Sequence, residues 1–229
     1  MEIKVLDHGF VKLLNISSVV DDRELLEQAP AMSARISFNN FDEERTKEQD
    51  MKLVEYLIKH HHNTPIEMTE VWFEMKLPIF VARQFVRHRT ATINEVSGRY
   101  VTLPEEWYIP EVVGGKATNN KQGQEDNLDK NIQENFKNEL DCTCENSYNN
   151  YKYYINQGVA PEHARLFLHV NHYTHWIWKQ DLSNLMHFLA LRLDEHAQIE
   201  ARAYAGAIYA CLVLHLPETM KLFNKYKRL

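Results

Sequence analysis

The sequence predicts an α+β fold: one domain over residues 1–229, with an antiparallel-type sheet packed against long helices. Three observations lead there. Apolar periodicity marks about six helical and four or five extended segments, segregated rather than strictly alternating. No internal repeat and no long Pro/Ser linker divides the chain. There is no G-x-G-x-x-G after a strand, and the seven glycines are too few to suggest a Rossmann-type dinucleotide site.

Taken in order, residues 2–6 and 10–16 are short apolar segments around Asp7-His8-Gly9, which reads as a hairpin. Asp21 or Asp22 can cap a short helix through Gln28, ended by Pro30. Residues 34–38 read as a connecting segment. Asp42-Glu43-Glu44 places acid in the first turn of a helix whose buried stripe is Met51, Val54, Leu57 and Ile58. Pro65 biases Thr64 away from helix. Val71–Leu77 is aromatic and apolar, a strand feeding a helix opened by Pro78. Trp107–Pro110 reads as a packed loop, and the polar, Gly/Asn-rich residues 114–127 as a mobile one. Leu128, Ile132, Phe136 and Leu140 begin a long amphipathic helix that stops at Gly158. Ala160-Pro161-Glu162 starts another, carrying Arg165, before the aromatic run Tyr173–Trp178 turns to strand. Asp181 caps a helix with Leu185, Phe188 and Leu189 inward, and a further helix runs through Ala197, Ala201, Tyr204 and Ile208 to about Leu214. Pro217 opens the last helix.

Hydrophobic content of 44% and charged content of 25% place the chain among ordinary soluble globular proteins. No apolar run reaches membrane-span length and no signal-peptide pattern stands at Met1–Val5, so a cytoplasmic protein without a membrane partner is expected. Three cysteines, two of them in a C-x-C, fit a reducing compartment. A net charge of −6 argues against a general nucleic-acid partner, yet leaves room for small anions held by a local arginine cluster.

Such a cluster lies between Arg83 and Tyr100. It holds Gln84, Arg87, His88, Arg89, Glu95, Ser97 and Arg99. If the Pro78 helix continues, Gln84, Arg87, His88 and Ala91 share one face, with Ile79, Ala82, Phe85 and Val86 on the other. Guanidinium forks suit bidentate contacts to phosphate. A solvated basic helix end explains the same residues equally well. Further on, Leu185, Leu189, Arg192 and His196 would lie on one stripe of a continuous helix, which half-buries Arg192 and demands an anion for it, a carboxylate or a ligand. The histidine groups invite a metal reading, but adjacent side chains in His60-His61-His62 diverge, and His169, His172 and His175 fall where helix gives way to strand. No metal site is expected.

Arg87-His88-Arg89, seven residues and then Ser97, continued by Gly98-Arg99-Tyr100, resembles the RHR-x7-S signature of the flavin-dependent thymidylate synthase family. Leu191-Arg192-x-Asp194-x-His196-Ala197-Gln198 resembles the family's second conserved segment. The resemblance covers nearly the whole chain, least at 114–127. It implies reductive methylation of dUMP to dTMP, with 5,10-methylenetetrahydrofolate as carbon donor, NADPH as reductant and non-covalent FAD. It implies a dUMP set of Gln84, Arg87, Glu95, Ser97, Gly98, Arg99, Arg165 and Arg192, with Arg192 catalytic at the pyrimidine ring. It implies a flavin set of Thr64, Arg87, His88, Arg89, Glu95, His187, Asp181 and Ser183, with His62, Glu67 and residues 34–38 nearby. Asp181-Leu182-Ser183 departs from the family's Asn-x-Arg, and Met68 stands where some members carry a histidine, so no role passes to it. The resemblance also implies a homotetramer with shared sites. The other thymidylate synthase class uses a Pro-Cys nucleophile, which is missing; Cys142 and Cys144 sit on the polar part of a helix and Cys211 on an apolar one. Ser97 reads as a binder, since no base is placed to activate it. The rival readings are a nucleic-acid-binding module and a His-rich metallohydrolase.

Overall fold

A computed structural model describes residues 2–41, 45–117, 124–125 and 128–226. The hairpin forms as expected, with β1 (Glu2–Val5) pairing β2 (Gly9–Ser17). Asp22 caps a 3-10 turn, and Pro30 then sits in the first turn of α1 (Ala29–Arg35). Proline therefore opens this helix rather than ending the previous one, because a first-turn N–H has no intrahelical acceptor and its absence loses no helical hydrogen bond. The segment expected to be a connector is the end of α1 and a 3-10 turn, Ile36–Phe38. The next helix, α2 (Lys47–Lys59), is started by a reciprocal capping box between Thr46 and Gln49, not by Asp42–Glu44, which lie outside the described residues.

Thr64 is helical after all. Proline restricts the residue before it, but a single turn, α3 (Thr64–Glu67), tolerates that restraint at its first position. Strand β3 (Glu70–Pro78) leads into α4 (Ile79–Phe85). That helix is shorter than the periodicity suggested, so Arg87, His88 and Ala91 lie in the turns beyond it and do not share a helical face with Gln84. Val86 is exposed for the same reason. Strand β4 (Thr92–Glu95) follows. Within the expected loop, β5 (Gly115–Lys116) pairs β6 (Gln124–Glu125); the residues between them lie outside the described ones.

The long helix α5 (Lys130–Asn156) ends at Gly158, whose φ of +84° favours glycine. Its buried residues are Cys144, Tyr148 and Tyr151, while Ile132 and Phe136 are exposed, so the apolar repeat in its first half covers no core among the described residues. Cys144, expected on the polar part of this helix, is buried, with its Sγ against the Asn171 side-chain amide. A single turn α6 (Pro161–Ala164) runs into a 3-10 turn carrying Arg165, then β7 (Tyr173–Asp181). Helix α7 (Leu182–Arg192) is capped by Asp181 as expected, but it stops at Arg192, so His196 is off its stripe, and α8 (Ile199–His215) begins after Ala197. The last helix is α9 (Pro217–Tyr226).

The five-stranded antiparallel sheet has the order β1-β2-β3-β7-β4. Period-two alternation puts Val71, Phe73, Met75 and Leu77 of β3 on one face, beside Trp176 and Trp178 of β7. That face is covered by buried residues of α7 and α8, among them Leu185, Phe188, Leu189, Tyr204 and Ile208. Each such burial stabilises by roughly 1.5–3 kcal/mol. Close approach matters at Gly9, where a Cβ would stand 1.9 Å from the Tyr204 hydroxyl that donates to the Lys76 carbonyl. A smaller cluster of Tyr148, Tyr151 and Ala164 holds the loop around Trp107, which packs as expected. Among the described residues no helix is long and apolar enough to cross a membrane.

Candidate functional site

The site is built where α4 ends. Leaving the helix, the chain makes two tight turns, with the His88 amide donating to the Phe85 carbonyl and the Ala91 amide to His88. These turns place Arg87 and Arg89 outward and His88 inward, its ring edge-on to Phe188 at 4.9 Å. Arg192, last residue of α7, reaches across. Its Nε donates to His88 Nε2 (3.2 Å) and its Nη2 to the Gln84 carbonyl (3.2 Å), one of the carbonyls a helix end leaves open. A guanidinium only donates, so His88 Nε2 must accept, and the imidazole proton sits on Nδ1. Burial first, then Arg192 and His187, push the His88 pKa down to about 4, so the ring is neutral at physiological pH. Burial also lowers the Arg192 pKa, and among the described residues no carboxylate pairs with it.

These groups line a cleft of about 360 Å³, together with Thr90, Gln180, Asn184 and His187. A second cleft of about 260 Å³ adjoins it, sharing Asn184 and His187 and reaching Ser183, His61 and Asn63. His61 has a φ of +57° and faces this cleft, while the rings of His60 and His62 lie against Tyr56. The three histidines lie in the turn beyond α2, with His60 and His62 on the same tyrosine and His61 turned to the cleft, and among the described residues no three metal-ligating side chains converge. Thr64 is exposed and follows Asn63 at the rim, with Glu67 also exposed. Asp181 does not face the cleft with a free carboxylate: its oxygens accept from the Asn184 backbone N–H (2.9 Å) and side-chain amide (2.8 Å).

The other expected residues form a separate group beyond β4. The Glu95 carboxylate accepts from the Thr174 hydroxyl. The Ser97 hydroxyl accepts from the Arg99 N–H (3.3 Å), and the turn is anchored by Tyr148 and Tyr151, whose hydroxyls hold Leu103. A Cβ on Gly98 would press on Leu103 at 3.2 Å and Arg165 at 3.4 Å, so Arg165 backs this turn. Arg99 pairs with Glu162 at 2.9 Å in an exposed bridge. The four residues of β4 span roughly 10 Å. Gln84, Arg87 and Arg192 therefore stand at one end of β4, and Glu95, Ser97, Gly98, Arg99 and Arg165 at the other.

Sequence reasoning passed over Asn184, Asn63 and Gln180, and weighed His61 only as a metal ligand, which it rejected. Gln180 had a signal: it continues the row Trp176-x-Trp178-x-Gln180, so alternation alone puts a carboxamide among buried tryptophans. Asn184 follows the Asp181–Ser183 departure and carried no signal of its own.

Residues 18–218 match the family described as thymidylate synthase complementing protein. A flavin-dependent thymidylate synthase of Wolbachia pipientis is 41% identical over 98% of this chain and 77% of its own length. One from Thermus thermophilus is 41% identical over 99% of this chain and 79% of its own. A crystal structure of the UMP/dUMP methylase PolB from Streptomyces cacaoi, bound with 5-Br dUMP, superposes with a TM-score of 0.84 at 24% identity, covering 99% of each chain, which shows the shared fold. The arginine–histidine turn, the serine turn and this extent of identity make the chain a member of the flavin-dependent thymidylate synthase family.

Proposed function

We propose that this chain converts dUMP to dTMP, taking the one-carbon unit from 5,10-methylenetetrahydrofolate and two electrons from NADPH. The balance is dUMP, methylenetetrahydrofolate, NADPH and a proton giving dTMP, tetrahydrofolate and NADP⁺. FAD, held non-covalently, supplies the hydride-carrying step when bound.

The residues present suit that cofactor. Arg87 and Arg89 offer forks for a diphosphate. The neutral His88, Asn184 and the half-paired Gln180 amide offer uncharged partners for a ring, with His187 beside them. Ser183 and Thr64 lie at the adjoining cleft and its rim, and Asp181 acts through Asn184, which it holds in place. This answers the departure from Asn-x-Arg: the carboxylate orients a neighbouring amide in place of donating itself.

For dUMP, Ser97, Gly98, Arg99 and Arg165 form a turn suited to its phosphate, with Gln84 and Glu95 completing the set and Arg87 serving both ligands. The exposed Arg99–Glu162 bridge contributes little stability, so a phosphate can displace it. Arg192 is the catalytic residue in this reading. The observation that carries it is a half-buried guanidinium with a neutral histidine and a carbonyl as partners and, among the described residues, no carboxylate. Its undischarged positive field suits a pyrimidine that becomes more anionic as its ring carbon attacks.

Because β4 separates the two groups of residues, the reading includes a homotetramer in which one chain's serine turn meets another's arginine–histidine turn. The free cysteines agree with a reducing, cytoplasmic setting. The test is a visible spectrum of purified protein, release of a flavin of FAD mass on denaturation, and dTMP formation from dUMP. A colourless protein that cannot be reconstituted with FAD overturns the reading.

A further inference from the structure

Gln180 occupies a position its pattern gives to an apolar residue. Thr174, Trp176, Trp178 and Gln180 alternate onto the buried face of β7, and Gln180 is 1% exposed. Its Nε2 donates to the Thr90 hydroxyl at 2.9 Å, directly after the Arg87–Arg89 turn. Its carbonyl oxygen, sealed from solvent, has no donor among the described residues. Rotating the amide does not cure this. The Thr90 hydroxyl can donate or accept, so either end of the carboxamide can take it, and the other end is left over. A buried polar group without a partner is unfavourable, and such groups are uncommon in folded proteins. Gln180 also lines the 360 Å³ cleft, where the other polar walls are mainly cations and imidazoles.

We infer that Gln180 is a ligand-contacting residue whose free amide valence recognises an imide edge, the carbonyl–N–H–carbonyl face of a heteroaromatic ring. The cations of the cleft suit phosphate and developing negative charge; an imide edge is neutral and needs a group that donates or accepts without carrying charge. Asn184 presents a second carboxamide to the same cleft, its Nδ2 already held by Asp181. Two substances in the proposed reaction carry an imide edge: the flavin ring and the uracil of dUMP. The inference rests on that proposed reaction and assigns a recognition group to it.

The experiment compares wild type with Gln180→Met, an unbranched apolar chain of similar length, and with Thr90→Val. FAD affinity is read by flavin fluorescence on titrating flavin-free protein, dUMP affinity by perturbation of the bound flavin's spectrum, and melting on the flavin-free protein. Gln180→Met should leave the flavin-free melting temperature unchanged or higher, because the amide it removes is only half paired. It should weaken one ligand by about five- to tenfold, the worth of one buried hydrogen bond. Weakened FAD binding identifies the flavin; weakened dUMP binding with FAD unaffected identifies the uracil. Thr90→Val should do much less, since it leaves the amide in place. The inference fails if folded Gln180→Met binds both ligands as wild type does, if Thr90→Val matches it, or if Gln180→Met cannot fold, which would make the amide structural. Wild type that binds no FAD would instead overturn the proposed reaction.

Discussion

Replacing Arg192 by alanine tests the core of the proposed chemistry. The guanidinium has five N–H donors. One goes to His88 Nε2 and one to the Gln84 carbonyl, so three remain to face the cleft. The group is half buried and no described carboxylate offsets its charge, so its field is weakly screened. Loss of one pre-placed electrostatic group of this kind costs about 3–4 kcal/mol at the transition state, or roughly a hundred- to a thousandfold in rate. The structural cost is smaller. His88 Nε2 and the Gln84 carbonyl each lose a donor, about 1 kcal/mol apiece, partly repaired by water entering the cleft. At roughly 2–4 °C per kcal/mol for a chain of this size, the melting temperature should fall by only a few degrees.

The assay follows the half-reactions separately. Flavin reduction by NADPH should change modestly in Arg192→Ala, and flavin should remain bound. Reoxidation coupled to dTMP formation should collapse. Arg192→Lys keeps charge but cannot reach His88 and Gln84 with one planar group, so it should recover only part. Near wild-type dTMP formation in Arg192→Ala, or loss of flavin together with unfolding, would make Arg192 a structural arginine and refute the assignment.

Three further outcomes are expected. No cysteine is essential: burial raises the pKa of the Cys144 and Cys211 thiols, which keeps them un-ionised and poorly nucleophilic, so Cys142→Ser, Cys144→Ser, Cys211→Ser should retain most turnover per folded molecule, and complete loss in a folded triple variant would reveal a thiol nucleophile. Flavin-free protein should lose stability as pH falls from about 6.5 toward 4, because burial holds His88 and His172 near 4 while the unfolded chain takes up protons from 6.5 downward; above 6.5 neither contributes, and denaturant midpoints that stay flat across pH 6.5 to 4 would contradict this. Light scattering at assay concentration should report a tetramer, and an active monomer would remove the shared-site reading.

Where local chemistry decides structure, the sequence was legible. The hairpin around Asp7–Gly9, the aromatic strands, the Asp181 cap and the Gly158 stop all rest on residues whose preference is intrinsic. Short helices were not legible in this way. Four- to seven-residue helices such as α1, α3 and α4 have too few hydrogen bonds to stand alone, so their ends follow tertiary contacts. The end of α4 shows why: its open carbonyl at Gln84 is taken by Arg192, which is 108 positions away in sequence. No periodicity of residues 78–91 contains that partner.

The candidate site divides along the same line. A signature such as Arg87–Ser97 is read as one string, and a string implies one place. The chain instead inserts β4 between the two ends of the string, and antiparallel pairing from Thr92 with Lys179 to Glu95 with Trp176 keeps that strand extended. An extended strand cannot bring its ends together. The seven-residue spacing therefore encodes a separation: it holds a strand of roughly 10 Å between the arginine–histidine turn and Ser97, and the sheet keeps that strand extended. Arg87 is assigned to both ligands yet lies on the far side of β4 from Ser97, so a nucleotide that touches both must either bridge that span or take the two groups from different chains.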